Sequence, residues 1–214
     1  MKLCVRQIQN KETYDFILNK HYAKRVPIIN FSFGLFINDN LEGILTIGRS
    51  ASAPLAAGLC GPKYKEKVYE LNRLVINPGF PKNTLSRFVS KVLKMLKKDD
   101  LILVSYADSG MGHHGYIYQA TNWIYTGKTT ARTDKYSPGN KHPRHYCSDY
   151  NHLRKVRTAK YRYVYFTGKS RKNMFKDLKY DALPYPKGEN DYYKLGDKIK
   201  VKILDRNTGE YFYE

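Results

Sequence analysis

The sequence predicts an α/β (α+β) fold in which a mixed central β-sheet is flanked by helices and followed by a basic C-terminal extension. Three observations predict it. Strand-like and helix-like segments alternate through the first half of the chain, the pattern of a sheet covered by helices. A short, largely apolar run from Asp99 to Asp108 has the composition of a buried strand. From Arg144 onward the character changes, and cations are interleaved with tyrosines.

Leu3 to Gln9 reads as the first strand. Tyr14, Ile17, Leu18, His21 and Tyr22 then recur at helical spacing, which predicts an amphipathic helix ended by Pro27. Phe31–Ile37 and Leu41–Gly48 flank Asn38-Asp39-Asn40, a hairpin signal. The small, apolar, aperiodic segment Ser50–Pro62 reads as an ordered loop lining a groove. Tyr69–Pro78 is a further strand, anchored by Leu71, Leu74 and Ile76 and interrupted by Arg73. After the bend GFPKN, Thr84 is a good N-cap, and Leu85, Phe88, Val89, Val92 and Leu96 form the apolar face of a helix. The buried strand ends at Asp108 and passes through a Gly- and His-rich bend into a helix carrying Tyr118. YRYVYF alternates like a strand, KNMFKDLKY reads as a short helix, and the end of the chain as a β-hairpin around Asn207-Thr208-Gly209. One main domain is expected over residues 1–190, including the basic Tyr-rich segment 144–190, with 191–214 as a hairpin extension.

Charge narrows the partner. Lys and Arg number 38 against 19 Asp and Glu, a formal charge of +19, so nucleic acid is the leading partner. Between Leu153 and Lys179 stand ten cations and one acid, Asp177, threaded by Tyr161, Tyr163, Tyr165 and Phe166. Cations meet phosphates and tyrosines stack on unpaired bases. Arg154, Arg157, Lys160, Arg162, Tyr163, Lys169, Arg171 and Lys172 are therefore candidate nucleic-acid-binding residues, against the alternative of a solvated strand face with its tyrosines in the core. Cys4, Cys60 and Cys147 form no CxxC pair, which argues against a disulfide framework and a zinc finger. The N-terminus turns polar too soon for a signal peptide, and no apolar run approaches a membrane span. A cytoplasmic protein without a membrane partner is the expectation.

Several residues are candidates for chemistry. The helix start after Pro81 offers backbone N–H groups beside Lys82, Asn83, Ser86 and Arg87, an end that suits an oxyanion or an anionic donor; a plain strand-to-helix turn is the alternative. Asp108 ends a strand where ligands of open α/β sheets gather, or else caps the next turn. His113 and His114 are neighbours on a loop, which seldom both bind one ion. His21, alone on an apolar side, reads by itself as a buried, hydrogen-bonded histidine.

KHYAKR (Lys20–Arg25), ELNRLVIN (Glu70–Asn77) with PKNTLSRF (Pro81–Phe88), SYAD with GYIYQATNWIYTG, and RYVYF, LKY and LPYPKG ending at Gly188 occur in an order that resembles the Mom family of phage DNA-modification proteins. More distantly the chain resembles the GNAT acetyltransferase superfamily. The resemblance runs to about Asn190, and the stretch from about Tyr192 lies beyond it. It implies a GNAT-like fold and conversion of the exocyclic amine of adenine in phage DNA to a carbamoylmethyl (glycinamide) group, which blocks host restriction. It further implies that His21 and Tyr22 bind substrate or iron, that Arg73 and Ser86 take part in function, and that Asp108 and Tyr118 are the acid and the phenol of the active-site segment. The loop GFPKNTLSR departs from the superfamily: it lacks the Gln/Arg-x-x-Gly-x-Gly/Ala pattern by which most of these acetyltransferases hold the coenzyme A pyrophosphate.

That product limits the donor. Acetyl transfer gives the wrong connectivity, whereas an activated glycine such as glycyl-tRNA contains every atom. In this reading Asp108 is the base for the adenine amine, Tyr118 donates a proton to the leaving oxygen, and Arg73 with the helix end near Ser86 holds an anionic donor or the oxyanion. The adenine leaves the stack to be reached, and tyrosines are surfaces for it. DNA and tRNA are the expected partners, in the bacterial host cytoplasm. The alternatives are an acyl-CoA donor, acetyl-CoA among them, with iron near His21 and Tyr22; a non-catalytic nucleic-acid-binding protein that shields DNA by occupancy; and a small-molecule or protein acetyltransferase.

Overall fold

The computed structural model describes residues 2–50, 52–138, 147–188, 196 and 200–214. The start of the basic segment at 144–146, its end at 189–190, and 191–195 and 197–199 of the expected extension lie outside the described residues. Among the described residues no helix is long and apolar enough to cross a membrane.

A seven-stranded mixed sheet forms the centre, in the order β1 (Leu3–Gln7), β2 (Phe31–Ile37), β3 (Asn40–Arg49), β4 (Val68–Ile76), β5 (Ile102–Asp108), β9 (Lys160–Phe166), β6 (Ile124–Lys128). The mixed sheet flanked by helices that the sequence predicts is present. The β2–β3 hairpin turns at Asn38 and Asp39, both with positive φ (48° and 68°), the backbone that a two-residue turn demands and that these residue types tolerate. Helix α2 (Thr84–Met95) lays Phe88, Val89, Val92 and Leu93 on one face of the sheet, each fully or almost fully buried and each contributing on the order of 2 kcal/mol. The other face is covered by α1 (Ala53–Cys60) through Leu59 and Cys60 and by α4 (Arg171–Lys176) through Met174.

All neighbours in this sheet are antiparallel except β4 and β5. That parallel pair is short. Its register covers only Val68–Ile102, Tyr69–Leu103 and Glu70–Val104, although β4 continues to Ile76 and β5 to Asp108. Beyond Glu70 the strands part, and a side chain replaces the lost ladder: the Ser105 hydroxyl donates to the Leu71 carbonyl at 2.8 Å. The gap this opens is the site.

Three local expectations need correction. The first helix is not a regular amphipathic one: a 3₁₀ turn (Asn10–Thr13) leads into a π-wound turn (Phe16–Lys20) closed by His21 N–H to the Phe16 carbonyl at 2.8 Å. Phe16 and Ile17 are buried while Tyr14 and Leu18 are exposed, because five-residue winding displaces the face that a 3.6-residue period selects. The segment expected to be a loop, Ser50–Pro62, holds α1, capped by the Ser52 hydroxyl on the Leu55 N–H. Its small residues give it no amphipathic period, so pattern reading misses it. Thr84 is not the N-cap of α2 either; Asn83 is, in a left-handed conformation, and the Thr84 hydroxyl instead donates to the Pro81 carbonyl.

A second sheet of four antiparallel strands follows the order β11 (Tyr211–Tyr213), β10 (Lys202–Asp205), β8 (Leu153–Arg157), β7 (Arg132–Lys135). Its small core is Tyr136, Leu153 and Ile203. The strands β10 and β11 meet around Asn207-Thr208-Gly209. They pair onto β8, which belongs to the basic segment.

Candidate active site

The cleft between the parted strands has a volume of about 1100 Å³. Its walls come from β4, the Pro78–Ser86 entry to α2, the end of β5, the one-turn helix α3 (Tyr116–Gln119), and β8 and β9. Among the described residues six cationic side chains line it (Arg73, Lys82, Arg132, Arg157, Lys160 and Arg162) with one carboxylate, Glu70; Arg132 and Arg157 are ion-paired to Asp134 and Lys160 to Asp108, which leaves a net positive lining. Such an imbalance focuses a positive potential into the cavity and suits a polyanion.

A β-bulge sets the floor. The register of β3 with β4 slips between Thr46 and Ile47, so Thr46 faces Arg73 while Ile47 faces Leu71 and Asn72 is the extra residue. Asn72 is held there by the Thr46 hydroxyl at 2.6 Å and by its own amide donating to the Ile28 carbonyl at 2.9 Å. In a regular strand Glu70 and Arg73 would lie on opposite faces; the bulge brings them to the same one. Arg73 donates to the carbonyls of Asn72 (2.6 Å) and Arg25 (2.8 Å), and its buried Nε has no hydrogen-bond partner. Burial lowers its pKa from the usual arginine value. Glu70 makes no hydrogen bond or ion pair among the described residues. Burial raises its carboxyl above the usual range, opposed by the nearby charges of Arg73 and Lys160.

His21 is buried, and its Nδ1 accepts the Ala23 N–H at 2.9 Å, which leaves the proton on Nε2. Burial first, then Arg73 and His113, lower its pKa to about 3, so the ring is neutral. Tyr22 stacks on it with centroids 4.3 Å apart and meets His113 at 6.3 Å. His113 lines the cleft while His114 turns away onto the Tyr161 ring, so the adjacent histidines do not share a site. Iron does not fit this corner. One nitrogen of His21 is already taken by the backbone, Arg73 puts a positive charge beside it, and no group of three or more His, Cys, Asp or Glu that could hold a metal occurs among the described residues.

Asp108 and Tyr118, the acid and the phenol that the resemblance singles out, are both tied to partners within the protein. Asp108 accepts from Thr158 and from the Gly110 N–H (3.0 Å) and forms an ion pair with Lys160 at 2.9 Å. These donors hold its carboxyl below the usual range in spite of burial, it caps the turn Ser109–Met111, and it does not line the cleft. An acid so fully paired is a poor base. Tyr118 lines the cleft, but its hydroxyl lies 2.7 Å from Ser105 Oγ, whose one proton goes to the Leu71 carbonyl. Tyr118 therefore donates inward, and burial pushes its pKa up to about 12. The ring is packed between Trp123 and Tyr163, both 5.2 Å away.

At the entry to α2, Lys82, Asn83 and Ser86 reach the cleft and Arg87 does not. The Ser86 hydroxyl donates to the Asn83 carbonyl at 3.0 Å. The candidate nucleic-acid residues separate into groups. Arg157, Lys160 and Arg162 line the cleft; Arg162 is fixed by Thr126 and stacks on Tyr180 at 3.5 Å. Lys169, Arg171 and Lys172 follow the other end of β9, where Phe166 pairs with Ile102, about 20 Å from the Lys160–Asp108 end. Tyr163 is wholly buried, with its hydroxyl donating to the His114 carbonyl, so it belongs to the core and presents no ring to a base. Alternation of YRYVYF is the reason: Tyr161, Tyr163 and Tyr165 all pack in or against the same core. Sequence reasoning missed Glu70. It sits inside the motif ELNRLVIN, but only the bulge at Asn72 shows that it shares a face with Arg73.

Residues 2–187 match the profile of the Mom protein family. The methylcarbamoylase mom of Escherichia phage Mu is 30% identical over 117 residues, 52% of this chain and 48% of that protein, so the chain spans about half the length of this curated relative. Among solved structures, an N-acetyltransferase from Staphylococcus aureus Mu50 aligns with a TM-score of 0.47 at 13% identity, covering 78% of this chain and 99% of that one. The ribosomal-protein-S18-alanine N-acetyltransferase from Escherichia coli aligns with a TM-score of 0.47 at 11% identity, covering 90% and 100%.

Proposed function

The chain belongs to the Mom protein family, and on that premise we propose that it is a transferase that modifies adenine in phage DNA, converting the exocyclic amine to a carbamoylmethyl derivative that resists host restriction. The observation that carries this reading is the cleft itself: a net positive lining, three of whose six cations are ion-paired to Asp134 and Asp108, around the desolvated carboxylate of Glu70, at the point where β4 and β5 part. The cations suit a polyanionic strand, and the carboxylate suits removal of a proton from a weak nucleophile. A neutral small-molecule acceptor would need neither.

The proposed donor is an activated glycine ester, glycyl-tRNA. The adenine amine attacks the ester carbonyl, the C–O bond to the tRNA breaks, and an N-glycyl adenine results. The free glycyl amine then attacks C6 through a five-membered ring, and the bond from C6 to the original nitrogen breaks. That nitrogen leaves as the carboxamide, and the product is the glycinamide derivative without any redox step. Glu70 takes the proton of the adenine amine and passes it to the departing ribose oxygen of the tRNA; its raised pKa makes it the stronger base of the two carboxylates. Asp108 orients Lys160, which with Arg73 faces phosphate or the developing oxyanion. Lys82, Asn83 and Ser86 form the wall for the donor. Tyr118 supports the floor through Ser105. His21 and Tyr22 close the Arg73 side as a neutral wall.

Nucleoside mass spectrometry of DNA from cells expressing the wild type, Glu70→Gln and Asp108→Asn tests this. General-base removal is expected to lower modification by about a hundredfold or more in Glu70→Gln and by less in Asp108→Asn. Purified protein with charged glycyl-tRNA should modify adenine, and acetyl-CoA should not. Unmodified nucleosides throughout, with deproteinised DNA cut normally, would leave only shielding by occupancy.

A further inference from the structure

The second sheet has an outer face that the cleft does not use. Side chains of directly paired residues share a face, so Lys135, Arg154, Leu204 and Tyr211 lie together, and Thr133 with Val156 and Lys202 with Tyr213 lie on the same side. The opposite face carries the buried Tyr136, Leu153 and Ile203, and also Arg132 and Arg157, which reach into the cleft. Among the described residues the outer face thus presents three cations (Lys135, Arg154 and Lys202), no carboxylate, and two tyrosines exposed by 54% and 62%. Lys202 Nζ lies 4.1 Å from the centre of the Tyr211 ring, which keeps a positive charge beside an aromatic surface. Strand β11, which supplies both rings, and β10, which supplies Lys202, lie beyond residue 187, where the family match ends.

We propose that this outer face binds an unpaired stretch of the DNA substrate beside the target adenine. The proposal rests on the reading above that the chain acts on adenine in DNA. Extruding a base leaves its neighbours unstacked, and a sheet face with exposed aromatic rings and cations supplies the stacking they have lost together with positive charge for their phosphates. A duplex offers no open base face to such rings. Arg154 on the outer face and Arg157 on the inner one are three residues apart on β8, about 10 Å, so a strand held outside lies within reach of the cleft.

Fluorescence anisotropy with the full chain tests it, using a labelled single-stranded oligonucleotide, the same sequence as duplex, and uncharged tRNA. The double variant Tyr211→Ala/Tyr213→Ala is expected to weaken single-strand binding by about tenfold or more while duplex binding changes by less than about twofold. Tyr211→Phe/Tyr213→Phe, which keeps the rings, should bind like the wild type. Unchanged single-strand affinity in the alanine pair, or a loss confined to tRNA, overturns the proposal. Should the alanine pair fail to fold, Lys202→Gln decides: it should weaken single-strand binding and flatten its salt dependence, and a wild-type salt response would overturn the proposal. Binding is read without any modification of adenine, so single-strand preference in a protein that forms no modified nucleoside would sink the enzymatic reading alone.

Discussion

His21 gives the sharpest physical test of how the cleft is built. In the unfolded chain it titrates near 6.5, and in the folded one near 3, because burial, Arg73 and His113 all oppose its charge. Between those values the unfolded state holds a proton that the native state lacks. Stability from this group is therefore complete above about pH 6.5 and is lost as pH falls, at about 1.4 kcal/mol per unit, reaching on the order of 4 to 5 kcal/mol near the folded pKa. At about pH 4.5 the loss is roughly 3 kcal/mol.

The perturbation is His21→Asn, whose side-chain carbonyl stands where Nδ1 accepts the Ala23 N–H but does not titrate. Urea unfolding followed by the single, buried Trp123 gives stability against pH for both proteins. Above about pH 7 the curves should run parallel; below it the wild type should fall relative to the variant with the slope given above. Subtraction cancels every other carboxylate and histidine. A flat difference down to about pH 4.5 would mean that His21 accepts its proton in the folded state and that the Arg73 corner is neither dry nor strongly cationic.

Two further outcomes follow from the geometry. Tyr118→Phe removes the hydrogen bond to Ser105 and keeps the ring, so it should cost about 1 kcal/mol in denaturant unfolding and leave adenine modification within a few-fold of wild type; a loss of about a hundredfold would return the hydroxyl to the chemistry. Gly48→Ala should destabilise by about 2 kcal/mol or more in the same assay, because its Cβ would fall 1.8 Å from the Ile28 carbonyl oxygen, a backbone atom that cannot swing aside, beside the bulge that aims Arg73.

The strands and α2 were legible because their signals are local: alternation, an Asn-Asp turn, an apolar stripe on Leu85 to Leu96. Helix α1 was not, since alanine-rich composition carries no period, and the π-wound turn before His21 breaks the period on which pattern reading relies. Arg157, Lys160 and Arg162 line the cleft, whereas Lys169, Arg171 and Lys172 continue the same charge run but lie at the other end of a strand, a separation that no charge count contains. Tyr163 misled for the converse reason: alternation can place tyrosines on either face, and only packing decided that this set turns inward.

The two carboxylates show why a conspicuous acid is not automatically the more basic one. Asp108 stands at a strand end in a Gly-rich bend, and its prominence comes from the turn that it caps; Thr158, Gly110 and Lys160 hold it as a weakly basic anion. Glu70 is hidden in a hydrophobic-looking strand, yet it is the acid that burial raises and no donor satisfies. Arg73 and Lys160 are the two charges that pull it back down. A phosphate bound between those cations would neutralise the effect, so Glu70 would become a stronger base when the cleft is occupied than when it is empty. With Glu70 as the proposed base, proton removal would thereby be tied to binding. The same cations that draw in the polyanion keep the base weak until it arrives.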